Sequence, residues 1–186
     1  MCKLCILTNI NDKMNFNYLI TDNVGLLHLI VSIVALVTGS LVLGMTKGTK
    51  NHKTIGYVYS LAMLLVLVTA FTMYNLFGKW GIFHWTALVS SLTIACGLIP
   101  IFTKRPKNNF ISIHFSFMYW SVIGLYGAFM AETFVRLPKI VVESGIPNTM
   151  FYNMTGIAVS ITMGLGAYFF IKLKPKWEKT FERKEE

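Results

Sequence analysis

Charge is what this sequence has least of. Asp, Glu, Lys and Arg make up 13% of its 186 residues, where a water-soluble domain carries about a quarter. So little charge leaves too few side chains to cover a water-facing surface, which excludes an ordinary soluble enzyme. Cysteine is scarce as well. Cys2, Cys5 and Cys96 give no disulfide framework, and the lone C-x-x-C of Cys2 and Cys5 is half a zinc site with no second half in the chain. Met14 offers a second candidate start that would omit both. Cys96 falls within an apolar run, as a packing residue would. No charged, apolar, small-residue signal pattern precedes residue 24, so no cleaved signal peptide is expected.

What the chain has in quantity is apolar residue in long runs: 54% hydrophobic, with mean hydropathy +0.58. Runs of about 20 residues are long enough to cross a hydrocarbon core as helices. The expected fold is therefore all-α, a polytopic membrane protein with five transmembrane helices over about 24–44, 53–74, 82–102, 110–134 and 149–173. Residues 1–23 form a polar lead-in and 174–186 a charged tail that is solvated or lies on the membrane surface. No stretch outside the membrane is long enough for a second core, so 24–173 is one domain. Tyr57, Tyr59, Tyr74, Trp80 and Trp85 sit near span ends, where aromatics favour the membrane interface. Pro100 stands at the close of the third span and Pro106 breaks the loop after it, while Pro138 and Pro147 bound an expected loop from Leu137 to Asn148. Gly156, Gly164 and Gly166 on the fifth span would let helices approach closely in lipid.

The formal net charge of +9 would raise the question of nucleic acid in a soluble protein. Its distribution points elsewhere. Lys47, Lys50 and Lys53 share one connection, Lys104, Arg105 and Lys107 another, and Lys172, Lys174, Lys176, Lys179, Arg183 and Lys184 the tail. Five crossings put all three on one side, which the positive-inside rule makes cytoplasmic. The expected arrangement has the N-terminus outside and the C-terminus inside a cell membrane of the bacterial inner-membrane kind. Anionic lipid would contact the cytoplasmic face, and nucleic acid is no partner.

Only four histidines occur, and each opens a separate span: His28, His52, His84 and His114. The fifth span has none and looks accessory to a four-helix histidine-bearing bundle. Antiparallel succession pairs His28 with His84 outside and His52 with His114 inside. One turn apart below them run Ser32, Ala35 and Gly39 on the first span; Gly56, Tyr59 and Met63 on the second; Leu88, Ser91 and Ala95 on the third; and Met118, Ser121 and Leu125 on the fourth. Small residues under three of the four leave room for a flat ligand, and Gly56 would let a macrocycle edge approach the backbone. Two histidine pairs at opposite ends of a bundle are what bis-histidine ligation of two haems across a membrane requires. A helix N-terminus disfavours the protonated ring, which leaves the imidazole free to ligate. Interfacial anchoring or helix capping by the same four residues is the plainer alternative.

This arrangement resembles the ascorbate-dependent di-haem cytochromes b over the first four spans, His52 to Gly56 being similar to their histidine-led helix starts. A closer resemblance is to the small bacterial membrane proteins grouped as domain of unknown function 2306. Those show a histidine early in span 1, a His-Arg/Lys-x-x-Gly opening of span 2 and a histidine followed by Met and aromatics in span 4. Here these are His28, His52 to Gly56, and His114 to Trp120, within about 24–137. That resemblance implies a small helical bundle and no activity, and His84 is not part of its pattern.

Glu132 is an acid inside the fourth span. Intramembrane charge is costly and marks a candidate catalytic residue. It follows His114 by about five helical turns, so both project from one face, and at the outer end Glu132 would approach His28 and His84. Two histidines and a carboxylate form a common zinc or non-haem iron set. Arg136, one turn on, is also placed to pair with Glu132. Three functions stay open. The first is transmembrane electron transfer through haem b on the four histidines, with a quinone or other membrane redox partner and with Lys53, Lys104 and Arg105 near propionates or lipid phosphates. The second is a zinc- or iron-dependent membrane hydrolase or oxidase using His28, His84 and Glu132. The third is a small transporter or a structural protein without cofactor.

Overall fold

A computed structural model describes residues 23–73, 80–141 and 148–182. Five helices account for it: α1 Asn23–Gly44, α2 Lys50–Thr72, α3 Ile82–Thr103, α4 Phe110–Val141 and α5 Asn148–Glu182. All five are long and apolar enough to cross a membrane. Helices are what such a sequence must form in lipid, because hydrocarbon offers the backbone no hydrogen-bond partner and a helix satisfies its own. The hydroxyls follow the same logic. Thr38, Ser91, Thr93 and Thr133 donate to the carbonyls of Val34, Ala87, Val89 and Phe129, one turn back.

The boundaries depart from the expected ones where local chemistry competes. α2 starts a turn early because Thr49 caps it, its hydroxyl accepting the His52 backbone N–H at 3.2 Å. α4 continues through Pro138 to Val141, so the loop expected from Leu137 begins later. α5 continues through Pro175 to Glu182, so most of the expected tail is helical. Trp177 packs edge-on against Phe115 with centroids 4.2 Å apart, and the Ser112 hydroxyl donates to Glu178 at 3.0 Å. The N-terminal lead-in to residue 22, with Cys2, Cys5 and Met14, and Pro147 in the α4–α5 connection lie outside the described residues.

α1 packs along α2 and α3 along α4; α2 with α3 and α1 with α4 close a four-helix ring. Among the described residues α5 touches α4 alone, which fits the accessory part its lack of histidine implied. Tyr119 anchors it, its hydroxyl donating to the Gly166 carbonyl at 2.8 Å. Of the three α5 glycines only Gly166 meets a neighbour: a Cβ there would stand 2.5 Å from Ile123, whereas Gly156 and Gly164 face open space.

The core is a middle layer in which Ala35, Tyr59, Met63 and Val122 are almost wholly buried. Gly39 permits it, since a Cβ at that position would lie 2.9 Å from the Tyr59 ring. The Tyr59 hydroxyl crosses the ring's diagonal from α2 to hydrogen-bond Ser121 of α4 at 2.8 Å. Outward, Leu61, Val89, Leu92 and Ile171 are exposed, an apolar surface suited to lipid. This packed middle separates a basic end, holding the α1–α2 and α3–α4 loops, from an opposite end. Each end has its own cluster.

Candidate functional site

At the end opposite the basic loops His28 is buried on α1, between partners on α2 and α4. The Thr69 hydroxyl on α2 lies within hydrogen-bond distance of the carbonyls of Leu65 and Val66 on its own helix, at 2.7 and 2.9 Å. Thr69 Oγ1 also hydrogen-bonds His28 Nδ1, 2.7 Å away, donating or accepting with the tautomer of the ring. Nε2 then faces Glu132 Oε1 of α4 at 3.4 Å. The imidazole and the carboxyl group are thus close enough for a charge–charge contact if the ring is protonated, and for a hydrogen bond after a small side-chain adjustment. Beside it lies a cavity of about 310 Å³ bounded by α1 to α4, with His28 and Glu132 on its wall. Arg136, the other expected partner of Glu132, lies beyond the side chains described.

His84 is not drawn into this pair. It occupies the third position of α3, where the preceding Gly81 has no side chain to cap the helix, and its own Nδ1 accepts the Gly81 backbone N–H at 3.2 Å. Its ring stacks on Trp80 with centroids 4.8 Å apart. With the Nδ1 lone pair in use, the neutral ring carries its proton on Nε2, the nitrogen a metal would need bare. Among the described residues no three His, Cys, Asp or Glu side chains converge on a metal position. The structure thus brings together His28 and Glu132 of the expected outer set, and gives His84 to its own helix start.

At the basic end His52 and His114 come from α2 and α4, the diagonal helices of the ring, and lie within electrostatic reach of one another and of Lys47. His114 Nδ1 is 2.7 Å from the Gly97 carbonyl of α3. A carbonyl only accepts, so Nδ1 carries the proton and Nε2 of the neutral ring keeps its lone pair. α4 reaches that carbonyl because residue 97 is glycine: a Cβ there would sit 2.9 Å from Met118 Sδ. His52 Nδ1 is buried and has no hydrogen-bond partner among the described residues. A Cβ on Gly56, one turn on, would meet nothing within 4 Å. In the loop, Lys47 Nζ donates to the Val42 and Leu43 carbonyls at 2.7 and 2.6 Å, closing the end of α1. Burial pushes that ammonium down to about 8 despite both acceptors.

Thr69 and Gly97 escaped the sequence reading, although one signal was there. Tyr59, Ala62, Val66 and Thr69 recur at the 3-4-3 spacing of one buried face, so Thr69 shares the side of α2 that carries Tyr59. Gly97 acts through its backbone carbonyl and leaves no side-chain trace.

The sequence pattern of a family described as "Predicted membrane protein (DUF2306)" matches residues 25–170. No curated protein and no solved structure matches the chain.

Proposed function

We propose that this chain, which belongs to the DUF2306 family of predicted membrane proteins, carries one b-type haem at its basic end, held between His52 and His114, and serves as a membrane electron carrier. The observation that carries the reading is the His114 Nδ1 hydrogen bond to the Gly97 carbonyl. Histidines that bind metal characteristically donate their other ring N–H to a carbonyl or carboxylate, which fixes tautomer and ring direction and raises ligand basicity. His52 fits the second position, with a buried, unpartnered Nδ1 and open space over Gly56. The two ligands come from diagonal helices, so a group between them lies on the bundle axis.

Bound haem would supply one-electron chemistry. The chain's own part is to hold both imidazoles neutral and oriented and to gather positive charge from Lys47, Lys53, Lys104 and Arg105 for propionates or lipid phosphates. One haem is proposed rather than two because His84 caps α3 and His28 is engaged by Thr69 and Glu132. By the positive-inside rule the basic end faces the cytoplasm, where anionic lipid would meet the same lysines.

The test is a visible spectrum of protein purified in mild detergent from haem-sufficient cells, oxidised and then reduced with dithionite, with metal analysis on the same sample. A sharp reduced-minus-oxidised band of low-spin haem is expected, lost in His52→Ala and in His114→Ala and kept in His84→Ala. Colourless protein with stoichiometric zinc or iron would move the metal to His28 and Glu132. Colourless, metal-free protein would end the reading.

A further inference from the structure

We infer that the cavity at the end opposite the basic loops is a binding site for a lipid-soluble quinone-class molecule, entering sideways from the bilayer, whose carbonyl or hydroxyl oxygen is held by His28 and Glu132. The inference rests on that cavity alone and needs no haem at the other end.

Access comes first. Leu29 and Ile33 on α1 and Phe129 on α4 line the cavity and are also exposed on the outside of the bundle. The cavity therefore has an opening between α1 and α4 onto an apolar surface. A molecule dissolved in the hydrocarbon phase can enter there and leave an alkyl tail outside. About 310 Å³ is at the lower end of the range for small-molecule pockets, which suits a single-ring head with its tail outside.

Chemistry narrows the class. Most of the wall is apolar, with Met63, Val66 and Leu67 among its residues. A plain acyl chain would be served by such a wall without an ionisable pair in it. His28 and Glu132, 3.4 Å apart, offer both hydrogen-bonding roles: a proton on the imidazole or the carboxyl group to give to a carbonyl oxygen, and a carboxylate oxygen to accept from a hydroxyl. A head group whose oxygen exists in both forms, carbonyl in the quinone and hydroxyl in the quinol, uses both roles. Thr69 is here a positioning residue, holding the ring by Nδ1 so that Nε2 faces Glu132.

The experiment measures thermal unfolding of the full chain in phosphatidylcholine nanodiscs with added decylubiquinone, its quinol, or n-decanol. A ligand that binds the folded state raises the midpoint with concentration. The quinone and quinol should raise it saturably and decanol should not. Glu132→Gln should weaken binding at least tenfold, and Ala128→Leu, which fills the cavity from α4 one turn before Glu132, should abolish it. Variants are compared only where helical content and the ligand-free midpoint remain; should Ala128→Leu not fold, Ser90→Leu fills the same cavity from α3. No shift with either quinone form, an equal shift with decanol, or undiminished binding in both variants would overturn the assignment. An equal decanol shift would mark an acyl-chain groove only.

Discussion

His28 shows how much one hydroxyl can decide. Thr69 Oγ1 bonds the carbonyls of its own helix and, across the interface, His28 Nδ1, which holds the ring with Nε2 toward Glu132. Thr69→Val keeps shape and volume and removes that partner. The expected cost is about 1–3 kcal/mol, the penalty of a buried polar group left unmatched, read as a lower unfolding midpoint in detergent. Combined with Glu132→Gln the loss should be non-additive, since both contact one ring; simple additivity would show that Thr69 does not act through His28. The approach of Glu132 to His28 was legible because helix numbering places His114 and Glu132 on one face about five turns apart. The helix-start bond of His84 was not, because it answers a backbone N–H that Gly81, without a side chain, leaves for the histidine to satisfy.

At the scale of the element, the five helices were visible as apolar runs because lipid leaves the backbone no other solution. Their rotation was harder to see. A helix that is apolar on every side gives periodicity little to report, so the buried face shows only where small or polar residues recur. On α1 they do, at His28, Ala35 and Gly39, and that face was read correctly. On α3 they mislead: Leu88 of the expected stripe is exposed, and Ala87, Ile94 and Gly97 are buried instead. Glycines test the distinction. Gly39→Ala places a Cβ 2.9 Å from the Tyr59 ring in the packed middle and should destabilise by about 1–3 kcal/mol, the range for overpacking. Gly156→Ala, with nothing within 4 Å, should be neutral or gain up to about 1 kcal/mol from helix propensity. The two variants, unfolded side by side in detergent, separate a glycine needed for close approach from one that only resembles it. Equal midpoints would contradict the middle-layer packing.

For the whole molecule, the antiparallel order of the helices collects the basic loops at one end, and the positive-inside rule predicts that end in the cytoplasm. Lys47, Lys50 and Lys53 lie in or beside one loop and Lys104, Arg105 and Lys107 in or beside the other. Both loops are short and directly flank spans, where Lys and Arg bias orientation most strongly. Alkaline phosphatase fused after Asn108 should be inactive, and a fluorescent protein fused to the C-terminus should fluoresce, both reporting the cytoplasm. Neutralising only the first loop, with Lys47, Lys50 and Lys53 changed to Gln, should leave this orientation in place, because the second loop and the end of α5 still carry the bias. Neutralising both loops should yield mixed topology. Active phosphatase at Asn108 in the unaltered chain would invert the arrangement. It would set His52 and His114 at the external face and the His28–Glu132 cavity in the cytoplasmic half, while leaving each cluster's internal geometry as described.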